Sequence, residues 1–334
     1  MNKRLPVSMD GVAFAILFVL GDHFEYALFG ERHSFLWGCG QHGVTVFFVL
    51  SGYLITSKLL ERDIDLRSFY LRRFFRLMPV AWAYLISVAV IGVLMHHRIL
   101  GHATASVFFF RNFIADGRGY TPHFWSLSVE EQFYFLWPLL LLIAGKRRAF
   151  WIAAAASLSC ALYRFVSWSQ YDAPGPNMMT QVRADAILVG CCLALLLSTR
   201  RGRDIMMNYS HWFLTPSLVV FAYCVVRFTW LPPLSESVAI AVLVAVSALR
   251  PSGGVISKVL SLKPLVWLGL ISYSVYVWQQ LFIQFRNPVV LIVVLGVSAA
   301  SFHLIEKPTQ RLGNRLASRM RSRAGHPIPE PSLV

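Results

Sequence analysis

Long apolar runs alternate with short, Arg-rich segments along the whole chain of 334 residues. A run of about 18 mainly apolar residues, rising about 1.5 Å per residue as a helix, is long enough to cross a hydrocarbon core of about 30 Å. Ten stretches reach or approach that length: 12–29, 43–60, 77–95, 124–144, 150–166, 183–198, 212–228, 238–249, 264–285 and 288–305. The pattern predicts an all-α, polytopic integral membrane protein of about ten transmembrane helices, with 238–249 the shortest. Phe108, Phe109, Phe110 and Phe113 predict one further interfacial or re-entrant piece. A single membrane domain is expected over 8–312. After it, 313–334 reads as a basic, Pro-rich cytoplasmic tail, opening as an amphipathic helix (Arg311, Leu312, Arg315, Leu316, Arg319, Met320) that is solvated and touches anionic lipid.

Composition agrees with the pattern. Hydrophobic residues make up 56% and charged residues only 14%, against about 25% charged in a soluble domain. The net charge of +15 invites a nucleic-acid reading, but its distribution excludes one. With the N-terminus placed inside and the loops assigned alternately, 23 of the 31 Lys and Arg fall on inner segments and 8 on outer ones. That is the positive-inside bias. It predicts both termini cytoplasmic and 171–176 outside, in a protein in contact with the lipid bilayer and not with nucleic acid. The first apolar run holds Asp22, His23 and Glu25 and no small-residue cleavage site follows it, so a retained span is expected rather than a signal peptide. Of five cysteines, Cys160, Cys191, Cys192 and Cys224 lie in expected spans and Cys39 in an outer loop. No CxxC pair occurs, so no metal is expected.

Ionisable groups inside spans are costly and mark functional sites. His23, Glu130 and Gln279 each lie six residues from the expected outer end of their span, about 9 Å down. Three polar groups at one level predict one shared cavity. Ser126, Glu130 and Tyr134, spaced i, i+4, i+8, form a polar stripe on one helix face, with Glu131 turned off it. Ser272, Tyr276 and Gln279, spaced i, i+4, i+7, form another, which serves equally as interhelical glue or as site lining. Arg72, Arg73 and Arg76 stack together at the inner membrane face, where an Arg fork suits phosphate groups.

The run His123-Phe124-Trp125-Ser126-Leu127-Ser128-Val129-Glu130-Glu131-Gln132-Phe133-Tyr134-Phe135-Leu136-Trp137-Pro138 resembles the signature of the acyltransferase family 3 membrane proteins. Asp10-Gly11, Gly43-Val44 with Phe47 through Tyr53, Arg72-Arg73 through Pro79, Arg183 through Ala186, Leu268-Gly269 with Ile271 through Trp278, and Glu306-Lys307-Pro308 agree in order, so the resemblance covers about 8–312. It implies an enzyme of the bacterial inner (plasma) membrane moving an acyl group, often acetyl, from cytoplasmic acyl-CoA to a hydroxyl of a cell-surface glycan or lipid-linked saccharide, alongside glycan-assembly proteins. It places the essential histidine on His23, the acidic position on Glu130 and the basic pair on Arg72 and Arg73, with Arg76 beside them. Two positions depart from the pattern. Val12, Ala13 and Phe14 stand where an Arg usually follows the Asp-Gly, and Gln279 stands where a His often follows the Tyr-x-Trp.

The expected chemistry is direct transfer. His23 takes the proton of the acceptor hydroxyl, Glu130 orients or balances the imidazolium, and Tyr276 or Gln279 donates to the developing oxyanion. Two readings compete with it: a transporter or flippase of a saccharide or lipid intermediate, whose polar groups line a pathway, and a catalytically inactive member of the fold. The first lacks the inverted repeat or paired broken helices such transporters carry.

Overall fold

The computed structural model describes residues 7–29, 38–61, 65–96, 100–114, 119–170, 178–227, 233–249, 262–285 and 287–323. The expected outer loop 171–176 and the chain beyond 323 lie outside the described residues. Among those described, every regular element is helical. In chain order they are α1 (Val7–His23), α2 (Glu25–Phe29), α3 (Cys39–Leu59), α4 (Leu66–Leu94), α5 (Leu100–Val107), α6 (Phe124–Gln170), α7 (Thr180–Leu197), α8 (Arg200–Arg227), α9 (Pro233–Leu249), α10 (Lys263–Trp278), α11 (Val289–Ser301) and α12 (Lys307–Arg323).

All ten expected stretches are largely helical, but fewer helices have the length and apolarity of a full span. Five qualify among the described residues: Cys39–Leu59, Leu66–Leu94, Phe124–Val166, Thr180–Leu197 and Val289–Ser322. The two halves of α8, bent by 78°, make a sixth if they form one span. Gly11–His23 and Leu234–Leu249 are apolar but shorter. Phe124–Val166 carries two of the expected stretches. Its 43 residues extend about 65 Å, twice the hydrocarbon thickness. The helix breaks at Gly145, whose φ of 72° is a region only glycine enters without strain.

The outward surface is strongly apolar. Ile143 is 83% exposed, Leu304 76% and Val93 73%, a pattern suited to lipid and not to water. Inside, Ile187, Phe48, Val49 and Ile271 are fully buried within one core shared by α1, α3, α6, α7, α9 and α10. A smaller core gathers Tyr84, Val88, Phe124 and Val277.

Helices α3 and α7 approach closely through two glycines, as small residues allow in lipid. A Cβ on Gly52 would stand 2.0 Å from the Ile187 carbonyl oxygen, and one on Gly190 2.1 Å from that of Val49. Backbone cannot yield as a flexible side chain does. Gly190→Ala is therefore expected to cost about 1–3 kcal/mol through overpacking, read as a lower melting temperature and less protein in the membrane fraction.

The amphipathic helix expected at Arg311 to Met320 forms as part of α12, and it is docked on the bundle. Helix α12 lies antiparallel along the first half of α4. Gly313 faces the Phe75 ring, Ser68 Oγ donates to the Ala317 carbonyl over 3.3 Å, and Gly313, Ala317 and Arg321 form the buried stripe. Asp65 caps α4, accepting from the amides of Arg67 and Ser68 at 3.0 and 3.1 Å and from the Ser68 hydroxyl at 2.6 Å. The Ser68 hydroxyl holds the Asp65 carboxyl below its ordinary range, with the backbone amides adding to it. This contribution is present above the usual aspartate pKa and lost as pH falls through the depressed value.

Candidate active site

Three helix ends meet on one side of the bundle. Helix α1 ends on His23, α10 ends on Trp278 and tightens into a 3-10 turn over Gln279–Leu281, and α6 starts at Phe124 immediately after His123. Helix α1 packs along α10. This brings His23 beside Gln279, with Asp22 as the neighbouring carboxylate. Gln279 is fully buried. His123 Nε2 lies 3.1 Å from the Val277 carbonyl oxygen. Its ring sits among those of Tyr84 (5.3 Å), Phe124 (4.9 Å) and Tyr276 (5.5 Å), and Trp278 lies 5.6 Å from Tyr84.

The polar atoms of this cluster are unusual in being unmatched. Ten buried side-chain nitrogen or oxygen atoms lack a hydrogen-bond partner among the described residues, and five belong here: His23 Nδ1, His123 Nδ1, Trp278 Nε1 and both amide atoms of Gln279. An unmatched polar atom in an apolar interior costs free energy. Five of them gather at three converging helix ends, the largest such group among the described residues.

Glu130 belongs to a second group. Its Oε1 accepts from the Ser51 hydroxyl and from the Tyr134 hydroxyl at 2.6 Å, and Arg73 Nη2 lies 3.6 Å away. Ser51 and Tyr134 are also 2.5 Å apart. The expected contact between Glu130 and His23 is therefore not formed. Of the three groups expected at one level, His23 and Gln279 meet, while Glu130 is held by α3 and α4. The carboxylate acting on His23 is its chain neighbour Asp22, whose Oδ1 accepts the Gly38 amide at 2.7 Å.

The three arginines also separate. Arg73 turns inward, bonding Glu131 through Nε at 3.1 Å and Nη2 at 2.6 Å, with its guanidinium 3.1 Å above the Tyr134 ring. Arg72 is surrounded by the charges of Arg321, Asp65 and Glu61, and Arg76 by that of Glu306. They do not converge as one fork. A cleft of about 430 Å³ opens beside Arg73, lined also by Arg67, Tyr70, Phe109, Glu131 and Met320.

The stripe on α6 connects the two groups. Ser126 and Tyr276 share a short hydrogen bond, and the Tyr276 hydroxyl donates to the His123 carbonyl at 2.5 Å. Glu130 and Tyr134 follow along the same face. Polar side chains thus run from His23 and Gln279 past Tyr276 and Ser126 to Glu130, Tyr134, Arg73 and the cleft. Ser272 is not on this line, because its hydroxyl donates to the Gly269 carbonyl of its own helix at 2.8 Å.

His123, Asp22, Ser51, Glu131 and Trp278 join the site although sequence reasoning gave none of them a role. Each stands within or beside a motif already singled out, but a motif does not say which of its side chains turn inward. A separate network ties α3, α6, α7 and α9 together. It comprises His42 with Glu236 at 2.8 Å, Arg164 with Asp185 at 2.5 Å, and Arg183 Nη2 3.3 Å from Thr45 Oγ1. Among the described residues, no group of His, Cys, Asp or Glu is arranged to hold a metal ion.

Two histidines and an amide with unmatched atoms thus sit in a helical bundle that also carries an arginine-lined cleft. The chain belongs to acyltransferase family 3: the family model, an acyltransferase domain, matches residues 13–302. It is similar to the YrhL protein of Bacillus subtilis (strain 168), 34% identical over 95% of this chain and 57% of that protein. Peptidoglycan O-acetyltransferase OatA of Listeria monocytogenes is 30% identical over 93% of this chain and 57% of its own length. O-acetyltransferase OatA of Staphylococcus aureus (strain NCTC 8325 / PS 47) is 28% identical over 93% and 58%. The chain thus spans somewhat over half the length of these curated relatives. No solved structure matches it.

Proposed function

We propose that this protein moves an acyl group, specifically acetyl, from acyl-CoA at the inner membrane face to a hydroxyl of a cell-surface glycan or its lipid-linked precursor, with peptidoglycan as the favoured acceptor. The observation that carries the reading is the unmatched cluster of His23, His123, Trp278 and Gln279 within a chain of acyltransferase family 3. The relatives' names supply acetyl and peptidoglycan. About ten crossings with both termini inside complete the proposal; the basic-residue asymmetry supports it.

In this reading His23 takes the proton of the acceptor hydroxyl as its oxygen attacks the thioester carbonyl. Asp22 beside it balances the imidazolium. The carbonyl oxygen gains negative charge and is met by the Gln279 amide N–H, since the Tyr276 hydroxyl is committed to the His123 carbonyl. Collapse of the tetrahedral intermediate breaks the carbon–sulfur bond. The leaving thiolate receives the proton from His23, giving free CoA and the ester. Glu130, Tyr134 and Ser51 hold the stripe in place, and Arg73 with Arg67 borders the cleft through which the donor arrives.

The direct test compares O-acetyl content of the cell-wall glycan in a deletion strain and its parent. Loss in the deletion strain, restored by the gene, is expected; unchanged content overturns the reading. At the donor end, Arg67→Ala is expected to weaken acetyl-CoA binding severalfold with normal protein level, and Arg67→Lys to recover it only in part. Unchanged affinity in a binding titration removes Arg67 from the donor site. For topology, a Cys placed at Ser322 should resist membrane-impermeant thiol reagents in intact cells, and external labelling reverses the orientation.

A further inference from the structure

His123 is positioned more specifically than a packing residue needs. The Val277 carbonyl, 3.1 Å from Nε2, offers lone pairs only, so Nε2 must carry the ring hydrogen. In the neutral ring Nδ1 then holds a lone pair. A doubly protonated ring is not favoured, because Tyr84, Phe124 and Tyr276 surround it and none is a carboxylate. Nδ1 is buried without a partner among the described residues, although hydroxyl donors stand close by. They are committed elsewhere: Tyr276 to the His123 carbonyl and Tyr84 to the Tyr120 carbonyl.

Resting on the acyl-transfer reading, we propose that His123 is a second histidine of the transfer site, whose Nδ1 accepts a hydrogen bond from an O–H or N–H group of the acceptor saccharide next to the hydroxyl that reacts at His23. The surrounding unmatched atoms set the ligand chemistry. Trp278 Nε1 is a donor only, and Gln279 offers a donor and an acceptor. With the His123 lone pair, the cluster presents donors and acceptors together, which suits hydroxyls and amides. A phosphate or carboxylate, having lone pairs only, would be repelled at Nδ1. Hydroxyls and amide N–H groups also occur on the pantetheine arm of the donor. The acceptor is favoured because His123 stands at the start of α6, whereas the arginine-lined cleft lies further along that helix, where Arg73 bonds Glu131 and Tyr70 bonds the Phe135 carbonyl. With one sugar hydroxyl at His23 and a neighbouring group at His123, the site selects the position that is acylated.

Two substitutions separate this role from packing. In His123→Gln the amide N–H can replace Nε2–H on the Val277 carbonyl, but nothing replaces the Nδ1 lone pair. In His123→Asn the side-chain oxygen reaches the Nδ1 position. The measurements use purified full chain in lipid nanodiscs, labelled acetyl-CoA, and the peptidoglycan disaccharide of N-acetylglucosamine and N-acetylmuramic acid. For His123→Gln the KM for disaccharide should rise about tenfold, the worth of one hydrogen bond, with an unchanged KM for acetyl-CoA and an unchanged melting temperature. His123→Asn should recover part of the loss. Calorimetric binding of the disaccharide gives the same comparison without turnover. An unchanged disaccharide KM and affinity in His123→Gln overturns the inference, as does a rise confined to acetyl-CoA, which assigns Nδ1 to the donor. Equal losses in both variants with a lowered melting temperature also overturn it, in favour of packing. A wild-type chain that transfers acetyl while His123→Gln is unaffected sinks this inference alone; a wild-type chain that neither binds disaccharide nor transfers acetyl sinks the acyl-transfer reading with it.

Discussion

Replacing His23 by Ala or by Gln is expected to lower acyl transfer by at least about 100-fold, the lower bound for removing a general base, while acetyl-CoA binding persists. Gln keeps the capacity to hydrogen-bond but takes up no proton at neutral pH. Its failure is therefore what separates proton transfer from a structural role. Protein level should survive both changes, because His23 Nδ1 is already without a partner among the described residues and its removal strands no other group. Acetylation measured beside membrane protein level reads the two quantities independently. Full activity in His23→Gln removes His23 from the chemistry and leaves the cluster as a binding site only.

Arg73→Ala is expected to act on the fold rather than on the donor alone. The guanidinium makes two bonds to Glu131, lies 3.6 Å from Glu130 and covers the Tyr134 ring. Removing it leaves two adjacent carboxylates in an apolar bundle without their cation. Breaking one partner of a buried pair costs on the order of 3 kcal/mol, somewhat less here because both side chains keep slight exposure at the cleft. A sharp fall in membrane protein level and melting temperature should follow. Glu131→Gln should do less harm, since a neutral amide can still accept from Arg73. Arg73→Lys should rescue in part, because Lys makes neither the paired bonds nor the flat contact with Tyr134. An Arg73→Ala protein of normal level and stability, deficient only in acetyl-CoA binding, would restore the view of Arg73 as a phosphate ligand.

The contrast between these two residues shows what the sequence carried. The all-helical bundle and the approach of His23 to Gln279 follow from rise per residue and apolar run length, which a linear string records directly. Their meeting was legible for that reason. The partner of His23 was not, because depth along a helix says nothing of which faces turn together. Glu130 lies on the same face of α6 as Ser126, yet turns toward Ser51 and Arg73. Arg73 illustrates the converse. Three nearby arginines read as one cluster by spacing, but α4 is 29 residues long, buried on one side and open on the other, and its turn sends Arg73 and Arg76 to different neighbours. The docking of α12 escaped because a helix with so many arginines reads as solvated. Its buried stripe depends on the small residues Gly313 and Ala317, whose value appears only once α4 is beside them. His123 was visible as the head of a motif, but its role rests on one carbonyl contributed by α10.

Acyl transfer at His23 can be measured directly. Purified wild-type and His23→Gln proteins, reconstituted in liposomes at equal amounts, are given acetyl-CoA labelled in its acetyl carbon together with the peptidoglycan disaccharide. Wild-type protein should place label on a saccharide hydroxyl as an ester released by mild base, with free CoA appearing in equal amount, and His23→Gln should not. Wild-type protein that binds acetyl-CoA but yields no ester, or equal ester formation by the two proteins, would contradict it.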